Sequence, residues 1–324
     1  MPIPHGIYPV IHTPLHLDQS VDIVNFEACL RHYLTTDITG VTILGSGGEL
    51  PYFSDKEQLE LLISAHLTIG AHKKIIVGLQ AYSATQAIDK INHYKPYADA
   101  ILLLVNSYYP VAFEDYYQSI RTIAAASDTP IIFYYFPQIT KQFLTVSQLE
   151  VILLLPNIIG IKDSSLHLLT AKKLIQKCPS TLYFSGLSLM LEQLPNAAGA
   201  ICPLAAIYPQ QSQHYWLAIK QNNDTQSRVY HQYLKAALPI INALNMPAKW
   251  QWNLLTLLSR CPIPLLKKVT SSHAQVKAAL HIIGMPISPT VRHPLRSISE
   301  SEIEKIRVLI AQNSQDSEAE YIKQ

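Results

Sequence analysis

The sequence predicts an α/β fold: a closed (β/α)8 TIM barrel with a C-terminal helical extension. Three observations lead there. Short apolar runs rich in β-branched residues alternate with segments of helical periodicity from the start of the chain. Eight such strand–helix units fit into about 220 residues, close to the ~250 usual for this barrel. After a polar break at Asn222-Asn223-Asp224 the strand pattern stops and only helical periodicity continues. A doubly wound open sheet is the alternative, but it rarely needs so many regular units.

Gly6 to Thr13 is apolar and runs into a Thr13-Pro14 turn, so it is the first strand, and Val21 to Leu34 the first helix. Gly40 to Leu44 is a strand, followed by the glycine-rich loop Gly45-Ser46-Gly47-Gly48-Glu49. Ser54 with Glu57 three residues later makes a capping box for a helix to Ile69. Lys74 to Leu79 and Ala98 to Val105 are strands, with helices over Ser83 to Tyr94 and Phe113 to Ala126. Pro130 to Tyr135 is the fifth strand, stopped by Pro137, and Thr145 to Leu155 is a helix. Asn157 to Ile161 is the sixth strand. It ends in Lys162, and Asp163, Ser164 and Ser165 offer an N-cap to a helix over Leu166 to Lys177. Thr181 to Ser185 and Gly199 to Cys202 are the last strands, with helices over Ser188 to Pro195 and Pro209 to Gln221.

Beyond them, Ser227 to Asn245, Pro247 to Ser259, Ser272 to Ile283 and Ser299 to Ala311 read as helices, punctuated by Pro262, Pro264, Pro286, Pro289 and Pro294. The chain divides into a barrel over residues 1–222 that carries the active site, a helical domain over 223–312, and a polar tail over 313–324 expected to be disordered.

Composition narrows the function. Of the 324 residues, 48% are hydrophobic and 15% charged, against a usual charged share of ~25%. A surface short of charge suggests burial against further copies of the chain. A net charge of +2 without a basic run gives no footprint for nucleic acid. Apolar runs such as Ile101 to Val105 are too short to span a bilayer, and Met1-Pro2-Ile3-Pro4-His5 does not resemble a signal peptide. Cys29, Cys178, Cys202 and Cys261 show no CxxC spacing and read as reduced thiols, which predicts a cytoplasmic protein.

In such barrels the active site lies at the C-terminal ends of the strands. Gathered there are Thr13, Gly45 to Glu49, Tyr108, Tyr109, Tyr134, Lys162, Ser185, Gly186 and Ile201. Strand alternation puts Gly160 and Lys162 on one face, and the missing side chain of Gly160 is expected to leave room beneath Lys162. A lysine at the mouth of a buried strand is costly unless its amine is neutral or paired, and a neutral amine attacks ketones to give a Schiff base. The alternative is a lysine that snorkels to solvent, since most lysines at strand ends do no chemistry. No His, Asp and Glu cluster has metal-ligand spacing. His12 and His16 are four apart, but Pro14 between them rules out a helical pair, so both read as structural. No GxSxG elbow or Walker loop is present.

Three motifs carry a resemblance. Gly45-Ser46-Gly47-Gly48-Glu49 resembles the G-[ST]-T-G-E loop of the dihydrodipicolinate synthase / N-acetylneuraminate lyase family of class I aldolases. Tyr134-Tyr135-Phe136-Pro137 resembles its Y-N-x-P motif, and Ile158 to Ser164 its I-x-G-[IV]-K-[DE]-[ST] motif. Ser185-Gly186, Gly199-Ala200-Ile201, Val276 to Leu280, Gly284, Arg292 and Pro294-Leu295 match weaker positions. The likeness runs from Gly6 to about Leu309. The three motifs fall in the right order on the right strands, which favours the reactive Lys162 over the snorkelling one.

The resemblance implies a lyase or aldolase in which Lys162 forms the Schiff base with pyruvate or another 2-oxo acid. It implies Tyr134 as a neutral proton relay with a phenol pKa near ~10. Ser46 and Tyr109 would extend that relay, Tyr109 from a neighbouring subunit of a homotetramer built as a dimer of dimers. The amides of Ser46 and Gly47 would hold the substrate carboxylate. Ile201 would present its carbonyl to the substrate, and Ser164, Gly186, Tyr135 and Ile139 would line the acceptor side. Tyr134 and Tyr109 could instead be packing aromatics, and the glycine loop a mere turn. No metal and no cofactor beyond the covalent lysine adduct is implied. The partners are a small 2-oxo acid and an aldehyde.

The departures narrow the substrate. Gly47 stands where the loop carries its second hydroxyl, and Tyr135 where Y-N-x-P has asparagine. Ile139 replaces the arginine with which dihydrodipicolinate synthases bind the carboxylate of aspartate semialdehyde. Ser188 and Leu189 replace the Asp-Glu pair with which sialic acid lyases hold sugar hydroxyls. A pocket walled by Ile139 and Leu189, with hydroxyls at Tyr135, Ser164 and Ser188, suits a small 4-hydroxy-2-oxo acid or deoxy-sugar acid. The alternatives are a 4-hydroxy-tetrahydrodipicolinate synthase with a displaced carboxylate-binding residue, or a catalytically silent barrel that binds a 2-oxo acid.

Overall fold

Parallel strands enclose the chain's inner core in the computed structural model, which describes residues 3–242, 247–261 and 272–321. The strands are β1 (Gly6–Pro9), β2 (Gly40–Ile43), β3 (Lys74–Ala81), β4 (Ala100–Val105), β5 (Ile131–Tyr135), β6 (Ile158–Asp163), β7 (Leu182–Ser185) and β8 (Gly199–Cys202). They hydrogen-bond in the order β1-β8-β7-β6-β5-β4-β3-β2. A parallel bridge from Val10 to Thr42 brings β1 back to β2 and closes the barrel. Alternation along each strand sorts the side chains. Tyr8, Ile76, Leu102, Ile132, Phe184 and Ile201 fill the interior, while Ile7, Val41, Ile101 and Phe133 pack outward in the core beneath the surrounding helices.

The helices start where their caps direct. Asp22 accepts from the Asn25 amide at 3.0 Å and opens the first helix, Ile23–Leu34. Ser54 and Glu57 form the expected capping box before Asp55–Ile69, and Thr145 with Gln148 forms a second before Val146–Leu153.

Several expectations are corrected. β1 ends at Pro9 rather than Thr13, although Val10 still bridges to Thr42. β6 continues through Lys162 to Asp163, because Asp163 pairs in register with Tyr135 and Ser185. Asp163 therefore does not cap the next helix. His167 does, accepting from the Thr170 amide, and the helix runs Leu168–Lys177. A Cβ on Gly160 would lie 2.6 Å from the Leu182 carbonyl oxygen, so this glycine permits close approach of β7 rather than making room for Lys162.

Short helices at Pro137–Thr140 and Leu204–Ile207 were not anticipated, and Ser188–Gln193 is a 3-10 turn. The helix expected over Ser227 to Asn245 is two, Asp224–Ala236 and Leu238–Asn242, broken ahead of Pro239. Asn223 caps the first of them, where the polar break was read. Helices Ala248–Leu258 and His273–Ile282 follow. The last, Glu300–Tyr321, passes through most of the stretch read as a disordered tail. Polar residues with good helix propensity end no helix by themselves. Residues 322–324, the end of the Ser227 to Asn245 segment, and Pro262 and Pro264 lie outside the described residues.

Candidate active site

Tyr134 and Lys162 are register partners on neighbouring strands, and both project into the barrel mouth. Lys162 is 3% exposed, with its Nζ 4.1 Å from the centroid of the Tyr134 ring. The Tyr134 hydroxyl lies 3.4 Å from Ser46 Oγ, at the long end for such a contact, and its ring stacks on Phe136 at 5.6 Å. Burial pushes the phenol up. The positive charge of Lys162 and hydrogen bonds with Ser46, Ser164 and Lys162 outweigh that, and Tyr134 ends below its ordinary value. The expectation of a phenol near ~10 is corrected in that direction, and the cause is the neighbouring amine.

Ser46 sits on a 3-10 turn, Ser46–Gly48, directly after β2, and Glu49 closes the turn with a left-handed φ of 66°. The C-terminal helices hold this turn in place. His273 Nε2 donates to the Ser46 carbonyl at 2.7 Å. Glu49 and Lys277, both fully buried, form an ion pair. Glu49 also accepts from the Arg292 amide at 2.8 Å, and Lys277 donates to the Thr290 carbonyl at 2.7 Å. Arg292 lies over the Phe53 ring at 4.8 Å, donates to the Tyr52 and Gln19 carbonyls, and pairs with Glu57. His273, Lys277 and Arg292 thus hold the glycine loop in place, a role that sequence reasoning missed. The signal was present: Lys277 is the lone charge in the stretch Ala274 to Leu280, which is otherwise apolar but for Gln275.

Other expected residues fall in varied places. Ile201 faces inward on β8 and is fully buried. The Ser164 amide donates to the Tyr135 carbonyl at 2.9 Å, and the Gly186 amide donates to the Asp163 carbonyl at 2.8 Å. Gly186 packs so close that a Cβ there would lie 2.6 Å from Ser164 Oγ. Tyr135 is corrected: one residue past Tyr134, it points outward, where its hydroxyl donates to the Leu144 carbonyl at 3.3 Å and accepts from the Leu144 amide at 3.1 Å. Leu189, expected to wall the pocket, is likewise packed in the outer core. Ile139 is 54% exposed on the Pro137–Thr140 helix. Tyr109 is 73% exposed, edge-on to Tyr108 at 5.0 Å, and does not reach the site of its own chain.

His12, read as structural, lies against the glycine loop: its ring is 6.4 Å from that of His273, and its Nδ1 donates to the Val10 carbonyl at 3.1 Å. Behind Lys162, Asp163 faces outward and takes hydrogen bonds from the Ser165 amide and the Tyr183 hydroxyl, each at 2.8 Å. Burial raises its carboxyl against the pull of those bonds. A small hollow walled by Leu44, Ser46, Gln80, Leu104 and Tyr134 opens beside the loop. A larger groove at Ile3, Lys177, Cys178 and Leu182 lies at the opposite end of the strands, away from Lys162. Among the described residues no three His, Cys, Asp or Glu side chains gather to hold a metal, and no helix is long and apolar enough to cross a membrane.

A barrel with this fold, carrying a buried lysine in contact with a tyrosine at the strand ends, is an enzyme of the class I aldolase-type lyase class. The chain matches the dihydrodipicolinate synthetase family over residues 3–260 and belongs to that family. It is 25% identical over 316 residues to the probable 2-dehydro-3-deoxy-D-pentonate aldolase YjhH of Escherichia coli K12, covering 94% of this chain and 96% of the relative. It is 25% identical over 307 residues to a 4-hydroxy-tetrahydrodipicolinate synthase of Desulforudis audaxviator, covering 92% and 94%. The crystal structure of YagE, a prophage protein of the dihydrodipicolinic acid synthase family from E. coli K12 in complex with pyruvate, superposes with a TM-score of 0.79 at 23% identity, covering 96% and 98%. N-acetylneuraminate lyase from Mycoplasma synoviae gives 0.77 at 17% identity, covering 95% and 97%.

Proposed function

We propose that the protein forms a Schiff base through Lys162 with pyruvate or another 2-oxo acid, and makes or breaks a carbon–carbon bond to a small neutral aldehyde. The natural substrate in the cleavage direction is then a small 4-hydroxy-2-oxo acid or deoxy-sugar acid. The observation that carries the proposal is the buried Lys162 amine against the Tyr134 ring, with Ser46 beside the phenol. The pyruvate in the YagE complex and the likeness to the probable 2-dehydro-3-deoxy-D-pentonate aldolase YjhH support it.

In this scheme the Lys162 amine attacks the C2 carbonyl. The carbinolamine loses water as Tyr134 protonates the departing hydroxyl, leaving an iminium ion. In cleavage, Tyr134 takes the proton of the C4 hydroxyl, the C3–C4 bond breaks, and its electron pair moves into the iminium to give an enamine and a free aldehyde. Protonation at C3 and hydrolysis return the 2-oxo acid and the amine. Ser46 passes protons to and from the phenol, and the amides of Ser46 and Gly47 hold the carboxylate. The iminium serves as the electron sink, so the reaction needs no cofactor. The Tyr108-Tyr109 pair would complete the relay of a second copy in a dimer of dimers, and the site would work in the cytoplasm.

The acceptor side argues against aspartate semialdehyde. Ile139 offers it no charge, and Arg292 is committed to Glu57 and to backbone carbonyls. A hydrogen bond to a charged group contributes about 1.5–3 kcal/mol, so losing a two-pronged arginine costs roughly two decades or more in kcat/KM. One observation favours the synthase reading: Lys141, a cation at the end of the same short helix as Ile139, donates to the Gln138 carbonyl at 2.7 Å.

The test is borohydride trapping with a panel of 2-oxo acids, followed by peptide mass spectrometry and by kcat/KM for acceptors. We expect one reduced pyruvyl group on the Lys162 peptide, none in Lys162→Ala, and neutral aldehydes preferred. A label on another lysine refutes the aldolase reading. A preference for aspartate semialdehyde that Lys141→Ala removes refutes the choice of acceptor.

A further inference from the structure

Ile76, Gly78 and Gln80 share the inward face of β3. Gly78 marks a close approach of β3 to the end of β2: a Cβ there would collide with the Leu44 carbonyl oxygen and lie 3.1 Å from the Gly45 nitrogen. Gln80 is the first interior side chain of β3 above that closed floor, level with Leu104 on β4. It reaches the small hollow beside the glycine loop, whose other side chains are apolar except for Ser46 and Tyr134. The hollow leaves about 10 Å³ to the centre of a water molecule, room for one. Gln80 is half-buried and makes no side-chain hydrogen bond among the described residues. An amide in such a lining is costly unless it is bonded, and a water is the group that fits between it and Ser46. Ser46, for its part, has a direction to choose. Its Oγ and the Tyr134 hydroxyl lie 3.4 Å apart, either can donate, and a serine proton rotates freely.

We propose that Gln80 is a positioning residue: through one water in the hollow it commits the Ser46 hydroxyl to donate toward the Tyr134 oxygen. The inference rests on the proposed function, because it presumes that Ser46 returns protons to the phenol. The water gives one hydrogen to Ser46 Oγ. It bonds to Gln80 as donor to Oε1 or as acceptor from Nε2, so either turn of the amide serves. With a lone pair of Ser46 so occupied, the serine's own hydrogen is left for Tyr134. A phenol that has given its proton to the departing hydroxyl then finds the next one already aimed at it. An amide suits the task because it does not titrate, so the anchor keeps its state while the phenol changes. The apolar walls of the hollow strengthen each bond relative to water.

The test is a double-variant cycle read by the rate of pyruvate-dependent borohydride labelling of Lys162. Gln80→Met keeps an unbranched side chain and removes the amide. Its limiting labelling rate should fall about three- to tenfold, the worth of one neutral hydrogen bond, while the pyruvate concentration for half-maximal labelling stays near that of wild type. Ser46→Ala should also slow labelling, and adding Gln80→Met to it should cost nothing more, because the group that Gln80 acts through is gone. The phenol supplies a second readout. Burial pushes it up, and the charge of Lys162 and then the hydrogen bond with Ser46 hold it below its ordinary value. In Gln80→Met the Tyr134 titration, taken by ultraviolet difference against Tyr134→Phe, should therefore move upward. Losses that add in the double variant, or a Tyr134 titration that does not move, overturn the proposal. A wild-type limiting rate in Gln80→Met overturns this inference alone, whereas absence of any Lys162 label in the wild-type protein overturns the aldolase reading with it. Should Gln80→Met fail to fold, Gln80→Leu is read in the same way. A chain that folds with neither makes Gln80 a structural residue and overturns the proposal.

Discussion

Tyr134 and Lys162 stand opposite each other on one rung of the β5–β6 ladder, with the amine 4.1 Å from the centre of the phenol ring. The pairing is set by a register shift between Ile131 and Ile132, below which Ile131 pairs with Ile158 and above which Ile132 pairs with Gly160. A slip of one residue in either strand would turn that strand's functional group into the outer core, where Tyr135 and Asp163 now sit.

Tyr134→Phe should lower kcat by about 10²–10⁴-fold, the usual worth of a general acid–base group. Pyruvate should still label Lys162, more slowly. The protonated phenol is the donor, so activity should fall on the alkaline side at a pH below the ordinary phenol value of 10.0. In Lys162→Met burial is no longer opposed by a positive charge, and the Tyr134 titration should move upward. Ultraviolet difference titration against Tyr134→Phe reads both. An unchanged kcat with a lower melting temperature would make Tyr134 a packing residue.

Lys277→Met should destabilise the fold by about 3–5 kcal/mol, because it leaves Glu49 charged, buried and short of a partner. Adding Glu49→Leu should restore much of that loss. Denaturant titration of the single and double variants measures it, and additive losses would contradict direct pairing.

The Arg292 guanidinium, by hydrogen bonding, holds the Glu57 carboxyl down at about 2 against an ordinary value of 4.5; partial burial opposes this and Ser54 assists. The folded value is depressed, so the stabilisation is complete above pH 4.5 and is lost as pH falls toward about 2. Melting temperature against pH should show this decline in the wild type. The gap between the wild type and Glu57→Gln should close across the same window. A gap that does not vary with pH would contradict the pairing.

Tyr108 and Tyr109 are exposed aromatic rings on a chain short of surface charge. Sedimentation at micromolar concentration should show a dimer at least, and a tetramer under the proposed assembly. A monomer with full turnover would remove Tyr109 from the reaction.

The eight strands, and the place of Tyr134 and Lys162 at their C-terminal ends, are legible because apolar runs mark strands; the pairing of the two residues across one rung depends on the β5–β6 register, which no local pattern reveals. Tyr135 was misplaced because the motif match assigned its position without regard to its face. Asp163 reads as a cap from its own neighbourhood, because its pairing with Ser185 depends on β7, which lies later in the chain. The contacts of Glu49 with Lys277 and of Ser46 with His273 join residues far apart in the chain, and no local pattern announces them. Their chemistry was visible only as an anomaly, a lone lysine in a mostly apolar stretch.

His273, Lys277 and Arg292 follow the barrel in the chain, yet they pin a turn that lies between its second and third strands. Order of synthesis and order of completion therefore run in opposite directions. A growing chain that has just emitted its eighth strand already carries the Lys162 amine and the Tyr134 phenol, but the Ser46–Gly48 turn beside them is still untethered. A chain that stops short of residue 292 has Lys162 and Tyr134 but lacks the amide that Glu49 accepts from at the end of the turn.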